Sequence, residues 1–242
     1  MFNFVAIVVR KDNLMYLFYN STSAFSVDSY DPEVIKMALS KELTPRKIYS
    51  KEEIKHLSSH ATARQLLCAF TTHHHIDHSG GDELLKTMFP NLLVYSGKNL
   101  NDGQLVKINQ LEVSVLCLNT PSHTFDSFCF LVADRVLLTG DLIFKVGCGR
   151  FFEGDSKQFS DSIQKIYKNV SDSALLLYGH DYGKQNKRFA DKHVVYSQED
   201  SQLISETDFL KLRDEKRLNP FLINYKDTEK LTKLRCEKDV FI

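Results

Sequence analysis

One segment of the chain reads T-H-H-H-I-D-H and gathers side chains that bind metal ions. In an extended segment, side chains two positions apart share a face, so His73 and His75 point one way and His74 points the other. Asp77 and His78 follow where the chain must turn into a glycine-containing loop, and they can serve a second ion. The spacing therefore predicts a dinuclear metal centre at the end of a strand. A histidine-rich surface loop that binds metal opportunistically is the alternative.

Three later positions repeat the pattern of an apolar run followed by a metal-type residue in a turn. They are His123 in T-P-S-H-T, Asp141 in T-G-D and His180 in Y-G-H-D-Y. Taken singly, such a residue is more often structural, whereas joint placement at strand ends favours a shared ligand set. Nitrogen and oxygen donors of this kind suit zinc, and also manganese or iron. The other histidines lack this placement and are expected to be surface or structural residues: His56, His60, His74 and His193.

Short apolar runs separated by turn residues predict a sheet-rich body. The run from Leu66 to Phe70 has the length of a strand buried on both faces, and it leads directly into the histidine segment. Helical, charged segments replace the β-type runs beyond Tyr182. The expected strands span 4–9, 15–19, 24–27, 66–70, 92–95, 105–108, 113–118, 127–132, 135–138 and 174–178.

Helix starts are also visible in the sequence. Asp31 suits an N-cap before Pro32, and Ser50 with Glu53 forms a capping box for a helix over 52–57. A helix is expected over 157–167, with an apolar stripe that includes Phe159 and Ile163. A further helix over 82–89 is expected to turn three side chains inward: Leu84, Leu85 and Met88.

Composition narrows the function classes. Lys plus Arg and Asp plus Glu are equal at 31 each, which argues against nucleic acid or an anionic membrane as the main partner. The five cysteines are scattered without C-x-x-C pairing, so neither a disulfide framework nor a cysteine zinc site is indicated. Neither a membrane-spanning run nor a secretion signal is evident. We expect a cytoplasmic monomer that acts on a small molecule.

The motifs T-H-H-H-I-D-H-S-G-G, T-P-S-H-T, L-T-G-D, G-C-G-R-F-F-E-G and Y-G-H-D-Y, in this order, resemble those of the metallo-β-lactamase fold. More narrowly, they resemble its glyoxalase II branch, the hydroxyacylglutathione hydrolases. The resemblance implies an α/β (α+β) fold, an αββα sandwich with a small helical C-terminal domain. It implies a metal-binding catalytic domain over 1–182 and a helical substrate-binding domain over 183–242.

The resemblance also implies the activity and the ligand set. The reaction would be hydrolysis of S-D-lactoylglutathione to glutathione and D-lactate by a hydroxide that bridges two divalent ions, most readily zinc, with iron or manganese as alternatives. Asp77 and Asp141 would be catalytic as well as metal-binding. The resemblance assigns His73, His75 and His123 to one ion and Asp77, His78 and His180 to the other, with Asp141 bridging.

The resemblance implies a glutathione pocket lined by Arg150, Phe152, Tyr182, Arg213 and Lys216. Glutathione carries two carboxylates, for which a guanidinium fork and a lysine are suitable partners. On a helix, Arg213 and Lys216 are three positions apart, and an anion between them would relieve their repulsion. The alternative is a solvated helix end whose cations complement the helix dipole.

The chain departs from the family pattern near the expected site. Ser122 stands where family members usually have Gly, Asp126-Ser127 where they have Gly-His, and Asp181 where they have Glu. Phe152 replaces a Tyr of some members, and the segment over 44–64 is longer than usual. These departures leave the acyl preference and the thiol carrier open.

An iron-dependent persulfide dioxygenase is the main alternative function, because it shares H-x-H-x-D-H and G-C-G-R. F-F-E-G after Arg150 and the L-R-D-E-K segment favour the hydrolase. A metal-dependent nuclease is disfavoured by the neutral charge. A non-catalytic metal-binding module is expected to lack at least one ligand, whereas all seven are present.

Overall fold

The structure, a computed structural model, describes residues 2–241. The strands are β1 Asn3–Val9, β2 Asn13–Tyr19, β3 Ser23–Val27, β4 Ile48–Ser50, β5 Gln65–Phe70, β6 Leu93–Tyr95, β7 Gln104–Ile108, β8 Val113–Asn119, β9 Phe128–Val132, β10 Val136–Gly140, β11 Ile143–Phe144, β12 Gly147–Cys148 and β13 Leu175–Tyr178. The helices are α1 Pro32–Leu39, α2 Lys51–His56, α3 Ile76–Ser79, α4 Asp82–Met88, α5 Ser156–Asn169, α6 Gly183–Ala190, α7 Gln198–Glu206, α8 Leu212–Leu218, α9 Pro220–Ile223 and α10 Thr228–Asp239.

The described residues divide into two compact units. The first takes the residues up to Leu100 together with Leu105–Val115, and the second takes Asn101–Gln104 and the residues from Leu116 onward. The expected functional boundary after Tyr182 does not coincide with this division, and it stays a prediction. Beyond Tyr182 the described chain is helical, from α6 to α10, as the sequence predicted.

A six-stranded sheet with the order β4-β1-β2-β3-β5-β6 organises the first unit. β1, β2 and β3 form the antiparallel meander expected from the sequence, and β5 pairs in parallel with both β3 and β6. Apolar side chains of the sheet and of α1 form one buried cluster that includes Val5, Leu17 and Ile35. The place of β5 between β3 and β6 fixes where the histidine segment begins.

The predicted helix starts are confirmed. The Asp31 side chain accepts a hydrogen bond from Val34 N–H at the start of α1. At α2, the Ser50 hydroxyl accepts from Glu53 N–H at 3.2 Å, and the Glu53 carboxylate accepts from Ser50 N–H at 2.8 Å. This capping box lies in the segment over 44–64, in which β4 pairs in parallel with β1.

The prediction for the helix after the histidine segment was wrong in one respect. In α4, Leu85 is buried, but Leu84 is 47% exposed and Met88 is only partly buried. The helix has only seven residues, so a single inward position suffices to attach it to the core.

The second unit contains most of a five-stranded sheet with the order β13-β10-β9-β8-β7. β10 pairs antiparallel with β9 and in parallel with β13, so the carboxyl ends of β10 and β13 lie at one edge. A small hairpin of β11 and β12 follows β10. In α5, Phe159, Ile163 and Ile166 form the expected buried stripe. No helix among residues 2–241 is both long enough and apolar enough to cross a membrane.

Candidate metal centre and substrate pocket

The first unit brings together the four donors of the T-H-H-H-I-D-H segment. His73 Nε2 and His75 Nδ1 lie 3.1 Å apart, while His74 is exposed, as the alternation predicted. The segment is not extended throughout, because the one-turn helix α3 carries Asp77 and His78. That turn folds the chain back, so the His73 and His78 rings lie 4.2 Å apart. His73, His75 and His78 therefore lie close together.

Two residues from the meander fix the orientation of this cluster. The Asp28 carboxylate lies 2.8 Å from His78 Nδ1 and accepts hydrogen bonds from the Thr72 amide and hydroxyl. Asn13 Nδ2 donates to a carboxylate oxygen of Asp77 and to its backbone carbonyl, both at 3.1 Å. Sequence reasoning missed both residues, because they lie far along the chain from the donors that they hold.

The second unit supplies the other three donors. Asp141 Oδ2 lies 3.5 Å from His123 Nε2 and 3.5 Å from His180 Nε2. The opposite ring nitrogen of His123, Nδ1, lies 2.8 Å from the Arg150 carbonyl, which accepts its proton. That contact fixes the tautomer in which Nε2 is free of hydrogen. One carboxylate oxygen thus lies between two imidazole nitrogens.

Gly149 is required where the chain passes this group. A Cβ at Gly149 would lie 2.0 Å from the Asp141 carbonyl oxygen and 2.9 Å from His123 Nδ1. Any side chain at this position would displace the Asp141 backbone or the His123 ring. This explains the second glycine of the G-C-G-R motif, because only glycine allows so close a backbone approach.

A cavity of about 380 Å³ opens beside these donors within the second unit. Its wall combines aromatic rings with cations, which suits a flexible anionic ligand. Three of the five predicted substrate residues, Arg150, Phe152 and Tyr182, line it. The Tyr182 ring stacks on His180 with centroids 4.7 Å apart, and the Phe152 ring meets His123 edge-on at 5.2 Å.

The other two predicted substrate residues lie elsewhere on α8. Arg213 and Lys216 are absent from the described lining of this cavity. Lys216 forms an ion pair with Asp172, and its ammonium lies 4.2 Å from the centre of the Tyr167 ring. Their contact with substrate stays a prediction that this placement does not support.

Arg235 and Lys238, on α10, supply cations to the cavity instead. Arg235 is buried and donates to the Cys148 carbonyl at 2.7 Å. Burial, reinforced by the Arg235 charge, lowers the pKa of Lys238 to about 8. Asp239 balances these charges, since its carboxylate lies 3.2 Å from Arg150 Nε and 2.9 Å from Arg235 Nη2.

The sequence contains a pattern that could have indicated Arg235 and Lys238 as candidate substrate residues. L-R-D-E-K begins at Leu212 and L-R-C-E-K begins at Leu234, with the same three-residue spacing between Arg and Lys. The spacing alone does not tell which of the two helices borders the cavity.

Two of the residues that were expected to depart from the family pattern, Asp126 and Ser127, belong to a local hydrogen-bond network. The Thr124 hydroxyl donates to Asp126 at 2.8 Å and lies 2.7 Å from the Ser127 hydroxyl. Ser122 is buried, and its carbonyl accepts from Gly154 N–H at 3.1 Å. Asp181 is exposed. Asp126 and Ser127 thus shape the turn that carries His123, whereas Asp181 follows His180 in the chain.

The donors of both units fit divalent metal ions. They are imidazole nitrogens and carboxylate oxygens, and the second ring nitrogen of His78 and His123 is held by an oxygen acceptor, as is usual for histidine ligands. Neighbouring donor atoms lie 3.1 to 3.5 Å apart. Two donors at about 2.1 Å from one zinc ion in tetrahedral geometry are separated by roughly 3.4 Å.

The fold is shared with proteins of known structure. A metallo-β-lactamase from Staphylococcus aureus superposes with a TM-score of 0.64 and 18% identity, covering 96% of this chain and 68% of that one. The protein thus has the metallo-β-lactamase fold. His/Asp clusters in a protein of this fold indicate a dinuclear metal site.

Sequence relatives narrow the class. A probable hydroxyacylglutathione hydrolase from Encephalitozoon cuniculi is 37% identical over 240 residues, covering 95% of this chain and 94% of that protein. A probable hydroxyacylglutathione hydrolase from Schizosaccharomyces pombe is 38% identical over 169 residues, covering 63% of this chain and 65% of that protein. No protein-family model matches the sequence. The chain belongs to the hydroxyacylglutathione hydrolase family.

Proposed function

We propose that the protein hydrolyses 2-hydroxyacyl thioesters of glutathione, chiefly S-D-lactoylglutathione, to glutathione and the free hydroxy acid. Family membership over 95% of the chain carries this proposal. The cavity beside His123 and Asp141 supports it, because its wall offers both a metal-type donor set and cations for an anionic thiol.

We propose that the donors of both units hold one pair of divalent ions, most readily zinc, in the arrangement that the family resemblance implies. His73, His75 and His123 serve one ion, and Asp77, His78 and His180 serve the other. The two 3.5 Å distances from Asp141 support its role as the shared ligand. Such ions lower the pKa of a water molecule to about 7 and polarise a carbonyl.

The protein's own residues bind and orient the substrate. Arg150, Arg235 and Lys238 attract the two carboxylates of glutathione, while the rings of Phe144 and Tyr182 exclude water beside His180. The leaving thiolate has a conjugate-acid pKa of about 8.5, so a separate general acid is unnecessary. This fits a cavity whose described lining holds no histidine besides His123.

The test is an assay of purified, metal-analysed protein with S-D-lactoylglutathione under strictly anaerobic conditions. We expect release of glutathione and D-lactate without oxygen, with about two metal ions per chain. A protein that is inert toward the thioester but consumes oxygen with glutathione persulfide would be the iron-dependent dioxygenase instead. Loss of turnover with a chelator and recovery with Zn²⁺, Fe²⁺ or Mn²⁺ added singly would identify the effective ion.

We also propose a cytoplasmic monomer that acts on a small molecule rather than on nucleic acid. The five cysteines form no disulfide among the described residues, which is consistent with a reducing compartment, and the balanced charge is consistent with a small-molecule substrate. Light scattering of the purified protein tests the oligomeric state, and cell fractionation tests the compartment.

A further inference from the structure

Val146 occupies a backbone conformation that a β-branched residue rarely adopts. It lies between β11 and β12 with a φ of 45°. In the left-handed region the Cβ of an L-residue approaches its own backbone, and residues other than glycine remain there only when their surroundings hold them. The contacts that hold Val146 therefore stabilise the hairpin of β11 and β12 and the residues on either side of it.

The Glu215 side chain of α8 binds the backbone N–H of Val146. The carboxyl is fully buried, and its two oxygens accept from Val146 N–H at 3.1 and 3.2 Å. The Tyr178 hydroxyl donates to the same group at 2.8 Å, and Asn219 Nδ2 donates to it at 2.8 Å. All three partners are donors, so the ionised carboxylate satisfies every one of them.

Asn219 provides a second contact to the hairpin. It is fully buried, and its Nδ2 donates to the Gly147 carbonyl at 2.9 Å as well as to Glu215. The two side chains thus bind the N–H of Val146 and the carbonyl of the next residue. A turn that is fixed at two successive backbone groups has little freedom to leave its conformation.

The hairpin connects the metal-type donors of the second unit with the cavity. Asp141 precedes β11, and Gly149 and Arg150 follow β12. Phe144, on β11, packs edge-on against His180 at 5.9 Å and against Tyr182 at 5.1 Å. Glu215 also contacts the strand that leads to His180, because it accepts a hydrogen bond from Tyr178, two residues before His180.

We propose that Glu215 is a positioning residue for thioester hydrolysis, which holds the hairpin at Val146 so that Asp141 and Arg150 keep their places on either side of it. Glu215 lies outside the described cavity lining and acts through Val146, Tyr178 and Asn219. Its effect on turnover rests on the proposed function, whereas its effect on the hairpin does not.

The electrostatic surroundings agree with this role. Burial raises the pKa of Glu215 to about 7, and the hydrogen bonds from Asn219, Val146 and Tyr178 and the Lys145 charge oppose that rise. The other titratable groups that interact electrostatically with it are Tyr167 and Tyr196. Protonation would place a hydrogen on one oxygen and leave one of the three donors with a weaker acceptor.

A double-mutant cycle tests the proposal. Glycine adopts a positive φ without steric cost, so Val146→Gly removes the need for support at this position. We expect Glu215→Gln to lower kcat/KM for the thioester at least tenfold when Val146 is present, and less than threefold in the Val146→Gly background. Glu199→Gln, an exposed change on α7, is the matched control and leaves kcat/KM unchanged.

Amide hydrogen exchange gives a readout that does not depend on the reaction. We expect Glu215→Gln to speed exchange over residues 143–148 with metal content retained. Equal losses of kcat/KM in both backgrounds, or unchanged exchange over the hairpin, would overturn the proposal. If Glu215→Gln fails to fold, Asn219→Ala takes its place in the same cycle. A wild-type protein without thioester activity would refute the proposed function and leave the exchange result decisive for Glu215.

Discussion

A carboxylate oxygen of Asp28 lies 2.8 Å from Nδ1 of His78, and both side chains are buried. An ionised carboxylate only accepts hydrogen bonds, so this contact places the imidazole proton on Nδ1 and presents Nε2 as the metal-binding nitrogen. Asp28 is fixed in turn by the Thr72 amide and hydroxyl, at 2.7 and 2.8 Å. Its backbone has a φ of 52°, in the left-handed region that aspartate tolerates better than most residues.

Removing this carboxylate is expected to weaken metal binding. Asp28→Asn can no longer offer two charged acceptor oxygens, so we expect the affinity for one ion to fall about 10- to 100-fold, as for other partners of histidine ligands. Titration against a chromophoric chelator measures this loss. Asp134→Asn, in an exposed turn, is the control. Unchanged affinity in Asp28→Asn would show that the histidine is oriented by other contacts.

Asp141 is expected to be indispensable if it serves both ions. Asp141→Ala removes the oxygen that lies 3.5 Å from both His123 Nε2 and His180 Nε2. We expect turnover to be abolished and binding of one or both ions to weaken, as measured by elemental analysis after gel filtration. Asp191→Ala, at an exposed position, is the control. An active variant with its full metal content would refute the shared-ligand role.

The sequence predicted the strands and helix starts well where local chemistry determines them. The capping box of Ser50 and Glu53 and the run from Leu66 to Phe70 depend on neighbouring residues, and both form as expected. Leu84 turned out exposed because a seven-residue helix needs few inward side chains. The two-residue strands of the hairpin were missed, since such short elements are stabilised by tertiary contacts such as those from Asn219.

The candidate site was predictable only in part, because some of its contacts also depend on tertiary structure. The seven donors follow strand ends and stand out in the sequence, but Asn13 and Asp28 act across 64 and 50 positions of the chain. The choice between Arg213 with Lys216 and Arg235 with Lys238 depends on how whole helices pack. Two copies of the same L-R-x-E-K pattern are indistinguishable until that packing is known.

The two lysines of these patterns allow a direct comparison. Lys238 lines the cavity, whereas Lys216 is engaged with Asp172. A charge-assisted hydrogen bond contributes about 1.5–3 kcal/mol, so we expect Lys238→Met to raise KM for the thioester roughly 10- to 100-fold with little change in kcat. Lys216→Met is the matched control, with a KM within about threefold of wild type. The reverse ranking would assign substrate binding to α8.

Binding of an unreactive S-alkylglutathione should also depend on pH through Lys238. Its pKa is lowered to about 8, so the ammonium is present below that pH and is lost as pH rises through it. We expect the Kd measured by calorimetry to increase between pH 7 and 9 more steeply in wild type than in Lys238→Met. The variant also serves as the control for titration of the ligand's own amine. Parallel profiles would show that Lys238 does not meet the ligand.

Glu215 should leave a signature in the pH dependence of stability. Its pKa is about 7 in the folded chain, against 4.5 for the ordinary group. Between these values the folded chain binds more protons than the unfolded chain, so this group's contribution to the free energy of unfolding falls as pH rises from 4.5 to 7 and is constant above. The full effect is on the order of 3 kcal/mol.

Urea unfolding of wild type and Glu215→Gln across this pH range measures the effect, because the difference between the two proteins cancels the other titrating groups. We expect wild type to lose stability relative to the variant as pH rises, and a difference that does not change with pH would contradict a buried, titrating Glu215.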